Sequence, residues 1–206
     1  MLSFENGIFH IPETGLGNGV LSFEFENETV STENAVWISS GGLWETELKN
    51  GLRARIQIEK DVLHISFRNG ERECFLKKIH LDFAAGLDAE DYREYTHSRL
   101  FLEQTSGVKP VGMSTPFFEH NPPSYMVYLL APRSGGKNLL FAALPPHQGD
   151  FLVFQARHEA KSLNGRFGLS VTAEEDRDLK PGMEFRLSPV LFRVSEKNPL
   201  ELLEDL

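Results

Sequence analysis

The chain has 206 residues, 40% of them hydrophobic and 25% charged, enough for one large β domain or two small ones with a buried core. Its formal charge of -9 opposes a phosphate backbone, so nucleic acid is excluded as a partner on electrostatic grounds. The single cysteine, Cys74, excludes an intrachain disulfide and any zinc site with more than one thiolate.

The opening MLSFENGIFH has neither the basic nor the apolar region of a signal peptide. The longest apolar run, residues 125–131, is far too short to span a membrane, so a cytoplasmic location without membrane contact is expected. Sixteen Phe against two Trp and four Tyr favour sheets packed face to face.

The glycine-rich GLGNG at 15–19 precedes a strand where a dinucleotide loop would precede a helix, and reads as a turn. Period-two alternation then marks half-buried antiparallel strands at 20–25, 52–58 and 62–67. Between the first two, Trp37 and Trp44 flank the Gly41-Gly42 turn; Trp37 reads as core, while Trp44 is open to either core packing or sugar stacking. Glu59-Lys60-Asp61 has the size of a hairpin turn, and Asn69-Gly70 is a second strong turn signal.

Further strands are expected at 75–83, 98–102, 125–131, 138–144, 150–156, 166–173 and 183–194. About ten to twelve strands with regularly spaced turns make one large antiparallel sandwich the economical architecture. Two stretches break the pattern. Residues 88–97 are polar and read as a helical turn or a loop; residues 108–124, rich in Pro, Gly and Ser, read as a long excursion that either carries function or caps a sandwich edge.

Chemistry-bearing motifs are sparse. The carboxylates Asp88, Glu90, Asp91 and Glu94 in a polar segment, and Glu174, Glu175, Asp176 and Asp178 in a turn between alternating strands, read as solvated charge. The seven histidines form no HExxH or His-x-His pair: His64 and His80 fall in strand patterns, and His97, His120 and His147 in loops. No G-x-S-x-G occurs, and Ser134-Gly135-Gly136-Lys137 leads into a strand, so it reads as a hairpin rather than a P-loop. Neither metal nor cofactor is expected.

The chain closes on a helix start. Asn198 can cap, Pro199 sits where its missing N–H costs nothing, and Leu202, Leu203 and Leu206 form an apolar stripe. Two platforms are open to it: its own domain, or a domain that follows.

From NLLFAALPPHQGDFLVFQAR and LSVTAEEDRDLKPGMEFRLSPVLFRVSEKNPLELLEDL, the last seventy or so residues resemble, in pattern and order, the end of the N-terminal β-supersandwich domain of family 36 α-galactosidases. The resemblance implies a galactose-mutarotase-like supersandwich over 1–197 and, at 198–206, a short helix leading to a catalytic (β/α)8 barrel. It implies that the catalytic aspartates belong to that barrel, so that this chain carries no catalytic residue of its own. A W-Q-S-W-G type loop approaches the sugar in that family; Glu103-Gln104-Thr105-Ser106-Gly107 is the matching place, keeping Gln104 and Gly107 and lacking both tryptophans. By that position Gln104 and Thr105 are the expected carbohydrate contacts. The function implied is a non-catalytic sandwich domain of a glycoside hydrolase, with a free-standing carbohydrate-binding module as the alternative and a sugar mutarotase or epimerase third.

Overall fold

The computed structural model describes residues 2–96, 107–110, 124–146, 151–158 and 165–206. In chain order the strands are β1 (Ser3–Glu5), β2 (Ile8–His10), β3 (Gly19–Phe25), β4 (Thr29–Ser31), β5 (Ile38–Ser40), β6 (Leu43–Glu47), β7 (Arg53–Glu59), β8 (Val62–Arg68) and β9 (Cys74–Asp88). They continue as β10 (Tyr92–Thr96), β11 (Gly107–Pro110), β12 (Ser124–Tyr125), β13 (Val127–Pro132), β14 (Asn138–Ala143), β15 (Phe151–His158), β16 (Arg166–Leu179), β17 (Glu184–Arg186) and β18 (Val190–Ser195), followed by helix α1 (Pro199–Glu204). Among the described residues they form two antiparallel sheets, one of eight strands ordered β1-β2-β3-β9-β16-β15-β12 with β4 on β3, the other of ten ordered β11-β10-β13-β14-β18-β8-β7-β6-β5 with β17 on β8. The fold is the large antiparallel sandwich with a short C-terminal helix that the sequence predicts.

The phenylalanines explain why the sheets face each other. Phe23 of β3 meets Phe67 of β8 at 5.6 Å between ring centroids, and Phe83 of β9 meets Phe192 of β18 at 6.0 Å. Phe141 stands edge-on to Phe192 at 5.5 Å. Each such ring, fully removed from water, contributes about 2–3 kcal/mol. Trp37 belongs to this interior as expected: it packs edge-on against Phe4 at 4.8 Å, and its Nε1 donates to the Thr32 carbonyl at 3.2 Å. Trp44 also packs on Phe4, at 5.6 Å, which answers its open assignment in favour of packing.

Several local expectations are corrected. The polar stretch at 88–97 holds a short 3-10 turn at Ala89–Asp91 and then strand β10, whose alternation turns Glu94 inward to full burial. The acidic run at 174–178 is not a turn: it lies within β16, where the register against β9 shifts between Glu174 and Arg177 around Asp176, at φ 41. That bulge leaves the Glu175 side chain 1% exposed, 3.5 Å from Arg177, whose guanidinium lies 4.0 Å over the Phe185 ring. The expected strand at 183–194 is two strands, β17 and β18, because Pro189 cannot donate to the ladder. The strand expected at 98–102 lies outside the described residues.

Helix α1 begins as its sequence dictates, with Asn198 Oδ1 accepting from the Leu200 N–H at 3.0 Å. Its platform is the outer face of the ten-stranded sheet. Leu202 is fully buried in a second apolar cluster with Leu129, Ala131, Leu140, Ala142 and Leu191. Residues on β13, β14 and β18 are therefore buried on both faces, which is why those strands read as apolar runs without alternation. Leu202→Asp is expected to undock the helix rather than bury a charge, so the loss is limited to about 1–3 kcal/mol, against about 1 kcal/mol for Asn198→Ala. Urea unfolding together with amide exchange across 199–204 measures both; unchanged exchange in the Asp variant would place the helix elsewhere.

Candidate functional site

Gln104 and Thr105, the expected carbohydrate contacts, lie outside the described residues, as do His97, His120 and His147. The chemistry that the described residues assemble comes from elsewhere, on the two outer faces of the sandwich.

On the ten-stranded sheet, β7 and β8 alternate, so Ala54, Ile56 and Phe67 face the core and their neighbours face solvent. Register then sets outward residues in rows. One row runs Ile38, Glu45, Arg55, Ser66 and Arg186; the next runs Glu47, Arg53, Arg68 and Glu184. They line a groove of about 540 Å³. Arg53 Nε holds Glu47 Oε2 at 3.0 Å and Arg55 pairs with Glu45. Exposed pairs of this kind are worth about 0–1 kcal/mol, so they fix side-chain positions more than they stabilise the sheet.

The apolar wall of the groove follows from Trp37. With that ring held inward, strand geometry turns its neighbours outward, leaving Val36 85% and Ile38 71% exposed. Thr46 Oγ1 donates to the Val36 carbonyl at 2.8 Å and ties the segment to β6. The sequence reading assigned Trp37 to the interior, where it packs partly buried on the core, and the exposure of its two neighbours follows from that placement.

On the eight-stranded sheet, a hydrogen-bonded chain crosses β3, β9, β16 and β15. His80 meets Glu24 Oε2 through Nε2 at 3.3 Å and Thr172 Oγ1 through Nδ1 at 3.2 Å. Ser170 lies 3.3 Å from Thr172 and donates to Asp82 Oδ1 at 2.5 Å, while Arg157 donates to Asp82 Oδ2 at 2.6 Å. An acid–base role would need a ring nitrogen able to reach a substrate proton, and both nitrogens of His80 are engaged within the sheet. The chain laces four strands together; its signal in the sequence is the shared parity of His80 and Asp82 along one strand.

Inside the sandwich, Glu94 accepts a hydrogen bond from Tyr128 Oη at 2.6 Å, both residues being buried. Burial first, then the Glu94 charge and the bond donated to it, pushes the Tyr128 phenol well above its ordinary value. Among the described residues no cluster of three or more His, Cys, Asp or Glu could hold a metal ion. No described helix is long and apolar enough to cross a membrane.

No protein-family model matches the sequence, and no curated protein matches it. Among solved structures, the chain is similar to the alpha-N-acetylgalactosaminidase NagBb from Bifidobacterium bifidum, solved as a GalNAc complex, with a TM-score of 0.50 and 14% identity. That likeness covers 95% of this chain and 36% of the enzyme's, so the chain spans little more than a third of the length of that glycosidase. It also overlaps a candidate aldose 1-epimerase from Escherichia coli K12, at TM-score 0.43 and 12% identity over 85% of this chain and 79% of that one. A GH31 family sulfoquinovosidase from E. rectale overlaps at TM-score 0.39 and 8% identity, over 100% of this chain and 33% of that one. At such identities what is shared with NagBb is the sandwich fold.

Proposed function

We propose that this chain is a non-catalytic sandwich domain of an α-galactosidase-like glycoside hydrolase, packed on a (β/α)8 barrel that follows it and forming part of the rim of that barrel's active site. The observation that carries the reading is the correspondence of 95% of this chain to 36% of an alpha-N-acetylgalactosaminidase: a whole sandwich here against a portion of a glycosidase there. Two features agree with it. The carboxylates Glu45 and Glu47 of the groove are each committed to an arginine, an arrangement unsuited to the acid and base that glycoside hydrolysis requires. After helix α1 docks Leu202, its Leu200 stays 62% exposed and Leu206, just past the helix, 48%, an apolar surface for a following domain. In this reading Gln104 and Thr105 reach toward the sugar from the sandwich side. A free-standing carbohydrate-binding module is the second reading, favoured by the open groove beside Val36 and Ile38.

Purified 1–206 is expected to give no turnover of aryl α-galactosides or aryl α-N-acetylgalactosaminides above a no-protein control, whereas the gene product continued past Leu206 is expected to hydrolyse at least one of them. Activity of the short chain that survives repurification would overturn the non-catalytic assignment.

A further inference from the structure

The groove over β6, β7, β8 and β17 gathers arginines that the fold itself does not use. Arg53 and Arg55 have glutamate partners, but Arg68 and Arg186 form no ion pair with any described residue. Register puts Arg186 opposite Ser66, and Arg68 between Arg53 and Glu184. Arg68 and Arg186 are therefore diagonal neighbours on paired strands, roughly 7–8 Å apart at the backbone and well within reach of long side chains. Like charges directly across a ladder, as Arg53 and Arg68 are, work against the sheet. Two guanidinium forks with unspent donors thus line one groove with the Ser66 hydroxyl, and such forks match the planar oxygen pair of a carboxylate or the oxygens of a phosphate.

The remaining lining limits what can carry that anion. Glu45, Glu47 and Glu184 accept hydrogen bonds from hydroxyl groups and repel any ligand with many negative charges, and the net charge of -9 acts in the same direction. Exposed Val36 and Ile38 supply an apolar strip along one side. About 540 Å³ is within the range of small-molecule sites, roughly 300–1,000 Å³. We infer that this groove binds a saccharide bearing a single anionic group, its carboxylate or phosphate held by Arg68 and Arg186 and its hydroxyls by Ser66 and the glutamates. The site belongs to this chain alone and does not depend on a catalytic domain following it.

Calorimetric titration of the protein with D-galacturonate, D-galactose 6-phosphate, D-galactose and inorganic phosphate tests this. At least one acidic sugar is expected to bind ten or more times tighter than both galactose and inorganic phosphate, and which one it is identifies the anion. Arg68→Ala and Arg186→Ala are each expected to weaken that binding tenfold or more with the thermal midpoint unchanged. Arg68→Lys and Arg186→Lys, which keep the charge and lose the fork, provide folded comparators and are expected to bind more weakly than the parent. The inference is overturned if neither acidic sugar binds, if galactose or inorganic phosphate binds as tightly, or if the alanine variants bind like the parent.

Discussion

Gly86→Ala and Gly168→Ala are each expected to cost about 4–5 kcal/mol or more, lowering the thermal midpoint by roughly 10 °C or further. A Cβ on Gly86 would lie 1.8 Å from the Gly15 carbonyl oxygen, and one on Gly168 would lie 2.0 Å from the Phe83 carbonyl oxygen. Both obstacles are backbone, and neither can yield cheaply. Gly17 N–H donates to the Ala84 carbonyl at 3.0 Å and Ala84 N–H to the Asn18 carbonyl at 2.9 Å, clamping the 15–19 segment onto β9, while β16 is paired to β9 on its other side. Gly135→Ala is the contrast: nothing lies within 4 Å of its added Cβ, so only its φ of +81 resists, for about 1–2 kcal/mol. If these two variants melted alongside Gly135→Ala, the close approach of these backbones would not be a stability determinant.

That comparison also explains what the glycine-rich GLGNG does. The sequence reads it as a turn because a strand follows it, whereas the segment runs along β9 into β3; the reason for its glycines lies far away in the chain, at β9, and no local pattern contains it. The same division runs through the fold. Strands β3, β7 and β8 were legible because one face is solvated and the alternation survives. β1, β2, β4 and β5 are three residues each, too short for a period to register, and exist because a neighbour pairs with them. Residues 174–178 carry so much charge that solvation looked decisive, yet their strand partners and the bulge keep them in β16.

The groove was illegible for the same reason. Glu45, Arg55, Ser66 and Arg186 come from β6, β7, β8 and β17, and only the cross-strand register makes them neighbours. The inward Trp37, which the sequence did place, is what turns Val36 and Ile38 out to complete it.

Raising the pH past 10 is expected to destabilise the protein steeply, and Tyr128→Phe to remove much of that steepness. Tyr128 is 1% exposed and donates to Glu94, which is fully buried, so an ionised phenolate there would sit desolvated beside a carboxylate. Desolvation, then the Glu94 charge and the hydrogen bond, therefore raise its folded-state pKa well above the ordinary value. In the unfolded chain the phenol ionises at about 10. The folded state thus keeps a proton that the unfolded state releases. The resulting stability is complete below about pH 10 and is lost, at up to about 1.4 kcal/mol per pH unit, as pH rises from there toward the folded-state pKa. Tyr92 and Cys74, also raised mainly by burial, add to the slope in the same direction. At neutral pH the Phe variant is expected to lose about 1–3 kcal/mol, because Glu94 forfeits this donor inside the sandwich. Urea unfolding of both proteins at pH 7, 9, 10 and 11 separates the two effects. A Phe variant as steep as the parent would assign the alkaline loss to other groups, and one as stable as the parent at pH 7 would show that the Tyr128–Glu94 bond contributes nothing to the fold.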